Sequence, residues 1–328
     1  MKIDHFDLTL EKEGYGEYYM AGEELKGVIE VHVVEKVRIA RLSVRIIGSC
    51  QTAWRNKLME TVYESKELIL DEYKDLTSEL ALHCSEALEI LEGQHKITFR
   101  IKLPLDVVSS IEKENHGLVK YTCMAVLDVP EGGDSEIVAE CDFGVVSLLN
   151  LDAPHFCLPT SSREQVNIIG FCCHRPKGYI SADVKVSELG LLPGETVRVC
   201  LTVENTVKKA KAKKHTGMHQ CALLSLCQQL DFRAANRQDP KQWDHKSLTT
   251  AVHSCGTCKA NQVKGPETKY IDFVIPNGLP PTSARAGGLV VCSYFFRLDM
   301  AHFDVIVPVI IGSQKTLIDT GGPQAIKE

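Results

Sequence analysis

The sequence predicts an all-β protein built as two β-sandwiches in tandem, and three observations predict it. Short apolar stretches alternate residue by residue, as in Val197, Val199, Leu201 and Val203 on one side and Arg198, Thr202 and Glu204 on the other. That two-residue period is the mark of a half-buried strand. Gly and Pro punctuate these stretches at short intervals, with little clear helical period between them. Finally, the landmarks recur. The Gly22-Glu23 turn and its strand through Val33 match the Gly194-Glu195 turn and its strand through Asn205, 172 positions later. Phe99 to Pro104 matches Ile271 to Pro276 at the same offset, and Leu118 to Val129 matches Leu289 to Met300 at 171. The order and spacing imply two copies of one unit, each of ordinary domain length.

The chain has 328 residues, 44% hydrophobic and 24% charged, enough for two separate cores. Met1 to Asp7 contain no apolar core of a signal peptide. The apolar run Val305 to Ile311 is far short of the roughly 20 residues of a spanning helix. The 13 cysteines are therefore expected to stay reduced, as small buried hydrophobes. The net charge of −6 is uneven: residues 1–150 carry −12 and residues 151–328 carry +6. An acidic first half speaks against nucleic-acid binding over the whole surface.

In chain order, Phe6, Leu8 and Leu10 open on a strand, followed by the Gly22 turn and its strand. From Lys36 to Gly48 a strand turns Leu42, Val44 and Ile46 one way and Arg41, Ser43 and Arg45 the other. Arg41 and Arg45 are a candidate contact for an acidic peptide; the alternative is a solvated strand face. Residues 58–92 are rich in Glu and Leu, so propensity favours helix while the neighbouring strands favour strands with a loop or short helix. Gly93 to Pro104, Gly117 to Val129 and Ile137 to Leu149 complete the first sandwich, 1–150. Pro154, Pro159 and Thr160-Ser161-Ser162 mark a linker over 151–164. The second sandwich, 165–313, runs through Gly178 to Val186, the Gly194 strand, and a closing run from His302 to Ser313, with a short tail over 314–328.

At this level the residues resemble the arrestin-domain proteins, on the α-arrestin side. The first half shows the turn and strand from Gly22 to Val31, then Gly93 to Pro104, Ser109-Ser110 and Gly117 to Tyr121. The second shows Phe171-Cys172-Cys173, the Pro193-Gly194-Glu195 strand ending in Glu204-Asn205, Ile275-Pro276 to Pro280-Pro281, and the Val307 to Gly312 close. The resemblance implies two immunoglobulin-like sandwiches of the arrestin fold with no catalytic residues and no cofactor. It implies a cytoplasmic adaptor, recruited to plasma membrane and endosomes, that binds the cytosolic tails of receptors or transporters and directs their endocytosis, ubiquitination or sorting. Family members reach ubiquitin ligases through Pro-Pro-x-Tyr motifs, and none occurs in this sequence, so that link is expected to be indirect. A retromer-type sorting subunit of the same fold is the alternative adaptor; a zinc-dependent or hydrolytic enzyme is the alternative of another class.

Four further stretches carry possible chemistry. Lys208, Lys209, Lys211, Lys213 and Lys214 form a basic alternating run suited to an anionic leaflet, or to plain solvation. Cys255 and Cys258, with His245 and His253 near, have metal-ligand spacing but lack a second pair; Cys221 or Cys227 would have to complete the site. Leu148-Leu149-Asn150-Leu151-Asp152 fits the acidic-apolar box of clathrin adaptors, though its place at a strand end favours packing. Asp319-Thr320-Gly321 spells one half of an aspartic-protease loop, which needs two carboxylates sharing a proton.

Overall fold

The computed structural model describes residues 2–12, 18–56, 60–85, 88–130, 135–169, 176–207, 221–259, 266–284, 287–300 and 303–316, without the side chains of Ser85, Ser135, Pro176, Lys177, Cys221 and Thr257 to Lys259. By contact density the chain forms two compact units. The first comprises 1–148 with 231–247 and 285–291; the second comprises 149–230, 248–284 and 292–328.

The strands of the first half are β1 (Ile3–Glu11), β2 (Tyr18–Met20), β3 (Glu24–Val33), β4 (Val37–Arg38), β5 (Arg41–Asn56) and β6 (Thr61–Asp75). After the short helix α1 (Thr77–Ala81) come β7 (Cys84–Ser85), β8 (Glu89–Ile90), β9 (Gly93–Lys102), β10 (Ile111–Lys113), β11 (Gly117–Val129) and β12 (Ser135–Val146). One sheet has the order β1-β3-β9 and the larger one β2-β12-β11-β5-β6, with β10 beside β11. Alternation drives both: along β11, Val119, Tyr121, Cys123, Ala125 and Leu127 are buried while their neighbours are not. The Glu- and Leu-rich stretch resolves as strand β6 followed by α1. β6 is ladder-paired with β5 from Ser43 to Asn56 across one irregularity at Gly48, and those pairs outweigh helix propensity. The helix starts where the Asp75 carboxylate accepts the Thr77 N–H at 2.8 Å, and its Leu80 is fully buried.

The second half holds β13 (Thr160–Ile169), β14 (Pro176–Val186), β15 (Gly190–Leu191), β16 (Thr196–Asn205), β17 (Cys221–Ala235), β18 (Trp243–Lys259), β19 (Glu267–Val274), β20 (Val290–Met300) and β21 (Phe303–Ile311). Its sheets run β13-β14-β16-β19 and β15-β21-β20-β17-β18. The linker read over 151–164 is shorter in the structure, because Thr160 to Glu164 already pair with β14 as part of β13. Ser and Thr suit an exposed edge strand as well as a loop, which is why composition alone misplaced that boundary. Pro308 sits inside β21 opposite Phe295, below the two residues that β15 covers, so its missing N–H costs no bond on that side.

The Gly-Glu turns of the two halves, and the bonds that hold them, repeat one another. Gly22 and Gly194 have φ of 82° and 84°, the left-handed region that glycine tolerates. Glu23 accepts the Met20 N–H through its carboxylate at 2.7 Å, as Glu195 accepts that of Leu192 at 3.0 Å. Leu103 donates to the Glu23 carbonyl and Ile275 to that of Glu195, at 2.9 and 2.8 Å. These pairs keep the 172-residue offset. Ser110 exchanges bonds with Val145 through its N–H and hydroxyl, and Thr282 does the same with Ile311.

One detail of the sequence pairing is corrected. An offset of 171 sets Tyr121 against Cys292, but Ile111 faces Val119 in β11 whereas Ser283 exchanges bonds with Cys292. The counterpart of Tyr121 is therefore Tyr294. A slip of two residues leaves every side chain on its own face, so alternation cannot detect it.

Candidate protein-docking surfaces

Among the described residues, β18 is hydrogen-bonded along one side only, to β17, and forms the edge of its sheet. From Leu248 to Cys255 it reads Leu-Thr-Thr-Ala-Val-His-Ser-Cys, eight residues without Asp, Glu, Lys or Arg. Edge strands are usually guarded by charge, Pro or a bulge; an unguarded one is a template for another strand. Its side chains are anchored. Ser254 and Ser225 share a hydroxyl hydrogen bond of 2.8 Å, and the His253 ring meets Phe273 edge-on at 4.9 Å.

The second surface is the outer side of the sheet β6-β5-β11-β12 in the first unit. The ladder pairs place Tyr73, Arg45, Met124 and Glu140 in one row across it, and Asp71, Ile47, Thr122 and Asp142 in the next. Arg45 donates through Nε and a terminal nitrogen to both Asp71 oxygens at 2.6 Å. That guanidinium holds the Asp71 carboxyl below the usual carboxylate range, and the carboxylate in turn raises Arg45. Lys120 pairs with Asp142 at 2.8 Å and lowers it likewise. Arg41 is exposed and faces Asp128 across the ladder. The structure thus places Arg41 and Arg45 on one strand face, but among carboxylates contributed by three other strands.

Those carboxylates are distant from the arginines in sequence, and no local pattern linked them. The one signal on β6 was the alternation of Asp71, Tyr73 and Asp75 at its end, which the surrounding Glu-rich composition obscured.

A third group of contacts ties the hairpin 231–247 to β5 and β6 within the first unit. The Trp54 indole N–H donates to Asp244 at 3.0 Å and its ring stacks on Tyr63 at 6.3 Å. Thr52 donates to the Arg233 carbonyl, Ala235 to the Ser65 hydroxyl, and Arg237 pairs with Glu64.

Comparison with known proteins fits this architecture. Residues 8–152 match the family described as Arrestin (or S-antigen), N-terminal domain. The chain is 23% identical over 325 residues to Arrestin domain-containing protein 17 of Caenorhabditis elegans, covering 95% of this chain and 71% of that one. The chain is an arrestin-domain-containing protein. It is also 26% identical over 213 residues to Arrestin domain-containing protein 4 of Mus musculus, and 23% over 199 residues to human Thioredoxin-interacting protein. Those matches cover 62% and 60% of this chain and 49% of each relative.

The remaining sequence candidates fall as follows in this arrestin-domain protein. Lys208, Lys209, Lys211, Lys213 and Lys214 lie outside the described residues, as does Asp319. Cys255 is described, and burial pushes its thiol up, away from the thiolate a metal requires. The side chain of Cys258 lies outside the described residues, and among those described no three His, Cys, Asp or Glu side chains converge on a metal position. No described helix is long and apolar enough to cross a membrane. In the clathrin-like box Leu151 is fully buried. Its side chain fills the space beside Gly312, where a Cβ would come within 2.4 Å of it. The segment around it is stitched to the stretch after β21: Leu149 N–H to the Ser313 hydroxyl at 2.8 Å, Leu151 N–H to the Gln314 carbonyl at 2.9 Å, and both Thr316 donors to the Asp152 carboxylate at 2.6 and 2.8 Å. The box cannot be read by a partner while that seam is closed.

Proposed function

We propose that this chain is a non-enzymatic adaptor that binds cytosolic segments of membrane receptors or transporters and directs their endocytosis, ubiquitination or endosomal sorting. The observation that carries the reading is the unguarded edge of β18 on an arrestin-type sandwich. An extended peptide adds to such an edge through main-chain hydrogen bonds, with side-chain contacts setting its specificity. The family membership supports an adaptor role, since the fold supplies surfaces and edges rather than a reactive cluster. The chain would reach ubiquitin-ligase machinery through a partner, and would act at plasma membrane and endosomes.

Proximity labelling with the full chain in cells tests this. Membrane proteins with cytosolic tails should be enriched, and their surface lifetime should lengthen when the chain is removed. A variant with Thr249→Lys and Ala251→Lys, both at exposed positions of β18, should lose the enrichment while melting normally. No enrichment of membrane proteins would overturn the adaptor reading; enrichment untouched by the lysines would move the contact away from β18.

A further inference from the structure

The outer face of the β6-β5-β11-β12 sheet has an apolar centre and an unbalanced rim. Val126 and Val138 are ladder partners, as are Met124 and Arg45, and Ile47 and Thr122. Val138 is 45% exposed and Tyr73 53%, while Met124, Val126 and Ile47 are half-buried. These side chains lie on the side away from the core formed by Leu42, Val44, Ile46, Cys123 and Ala125. The cations nearest this centre are already committed, Arg45 to Asp71 and Lys120 to Asp142. Among the described residues in the rows of this face from Arg41 to Ile47, what remains is Asp75, Asp128, Glu136 and Glu140 with only Arg41 to balance them. Asp75 stays ionised at neutral pH, since its bonds from Thr77 hold its carboxyl low. A surface of this kind repels an acidic peptide and an anionic leaflet, the reverse of what Arg41 and Arg45 suggest when read alone.

We propose that this face docks a short segment combining Lys or Arg with apolar side chains, namely the stretch of a membrane protein that borders its span on the cytosolic side. Such stretches are enriched in Lys and Arg. Their cations would meet Glu136, Glu140 and Asp128, and their apolar side chains would cover Val138, Val126 and Met124. Charge complementarity of this sort sets partner choice and speeds encounter. The proposal rests on the adaptor reading and names the chemistry of its cargo.

The test uses the full chain and a fluorescent peptide of roughly 14 residues, rich in Lys, Arg, Leu and Phe, followed by anisotropy. The peptide should bind, weaken steeply from low to high salt, and lose at least about tenfold in affinity on Glu136→Lys with Glu140→Lys. Val138→Ser, which leaves the charges in place, should weaken it by a smaller factor. An acidic peptide of equal length should not bind. Equal affinity in the charge-reversed variant, or preference for the acidic peptide, overturns the proposal. If the chain self-associates and the same reversal abolishes that, the face belongs to a second copy and the proposal fails. Proximity labelling separates the two readings. Membrane proteins still enriched by the Glu136→Lys, Glu140→Lys variant would refute this face and leave the adaptor role standing. Peptide binding without any enriched membrane protein would refute the adaptor role and, with it, the cargo assigned here.

Discussion

Tyr121 and Tyr294 occupy the same place in their respective units. Each ring is enclosed, at 0% and 2% exposure. Each hydroxyl donates to a carbonyl upstream, Val108 for one and Pro280 for the other, both at 2.7 Å. The phenol thus fastens the segment entering its strand to the middle of the sheet. In the first unit Gly48 makes room for the ring, since a Cβ there would lie 2.6 Å from it.

Tyr121→Phe removes one buried hydrogen bond and leaves a carbonyl unmet; Tyr294→Phe does the same and also takes away the acceptor of the Gln228 side-chain amide, 2.9 Å from its hydroxyl. Each should cost about 1–2 kcal/mol in urea denaturation. The two residues lie in different units, so the double variant should lose the sum of the two if the chain unfolds in one step.

Stability should fall in alkali. Burial raises the Cys50 and Cys123 thiols to about 12, and raises both phenols above the usual tyrosine range. All four groups ionise more readily in the unfolded chain. Their contribution is therefore complete below the ordinary thiol range, about 8.5, and is lost as pH climbs through the folded values. The urea midpoint under reducing conditions should hold from about pH 6 to 8 and drop by about pH 10. In the native state at about pH 8, alkylation followed by mass spectrometry should mark exposed Cys157 well before Cys50 or Cys123.

Gly312→Ala should destabilise by about 1–3 kcal/mol, because the new methyl overlaps a side chain that has nowhere to go. Adding Leu151→Ala should give a double variant less damaged than the sum of the singles, the signature of direct contact.

The seam to Thr316 should be sensitive to acid. Bonds from the Thr316 N–H, Asn150 and the Thr316 hydroxyl keep the Asp152 carboxyl low. The seam's share of stability is present above the ordinary carboxylate range, about 4, and lost as pH falls below it. Asp152→Asn and Thr316→Ala should each accelerate amide exchange at Leu151 and Thr316 at neutral pH, leaving the β11 amides unchanged.

Asp244→Ala should deprive the Trp54 indole of its carboxylate partner, at a cost of about 1–3 kcal/mol. Tryptophan emission should shift to the red before the far-ultraviolet signal is lost, because the Arg233–Trp243 stack belongs to the same hairpin.

Much of the scaffold was legible because strands advertise themselves by period, and because the Gly-Glu turns require a residue that tolerates positive φ. Gly22, Gly194, Pro104 and Pro276 could be paired from the sequence alone. What stayed hidden depends on contacts between distant strands. Tyr294 could not be told from Cys292 as the mate of Tyr121, since both choices satisfy the alternation. The Arg45 stripe was visible, but Asp71, Asp128 and Glu140, which decide its charge, reach it only through sheet registry. The absence of charge along β18 was present in the letters, yet only the strand order showed that this stretch lies at an edge.

The burial of Leu151 has a consequence for how short signals in this chain are to be read. A five-residue word can be spelled correctly and still be mute when one of its letters is sewn into the fabric. For Leu148 to Asp152 to address anything, the stitches from Ser313, Gln314 and Thr316 must first be unpicked, so whatever governs that thread also governs whether the word is ever spoken.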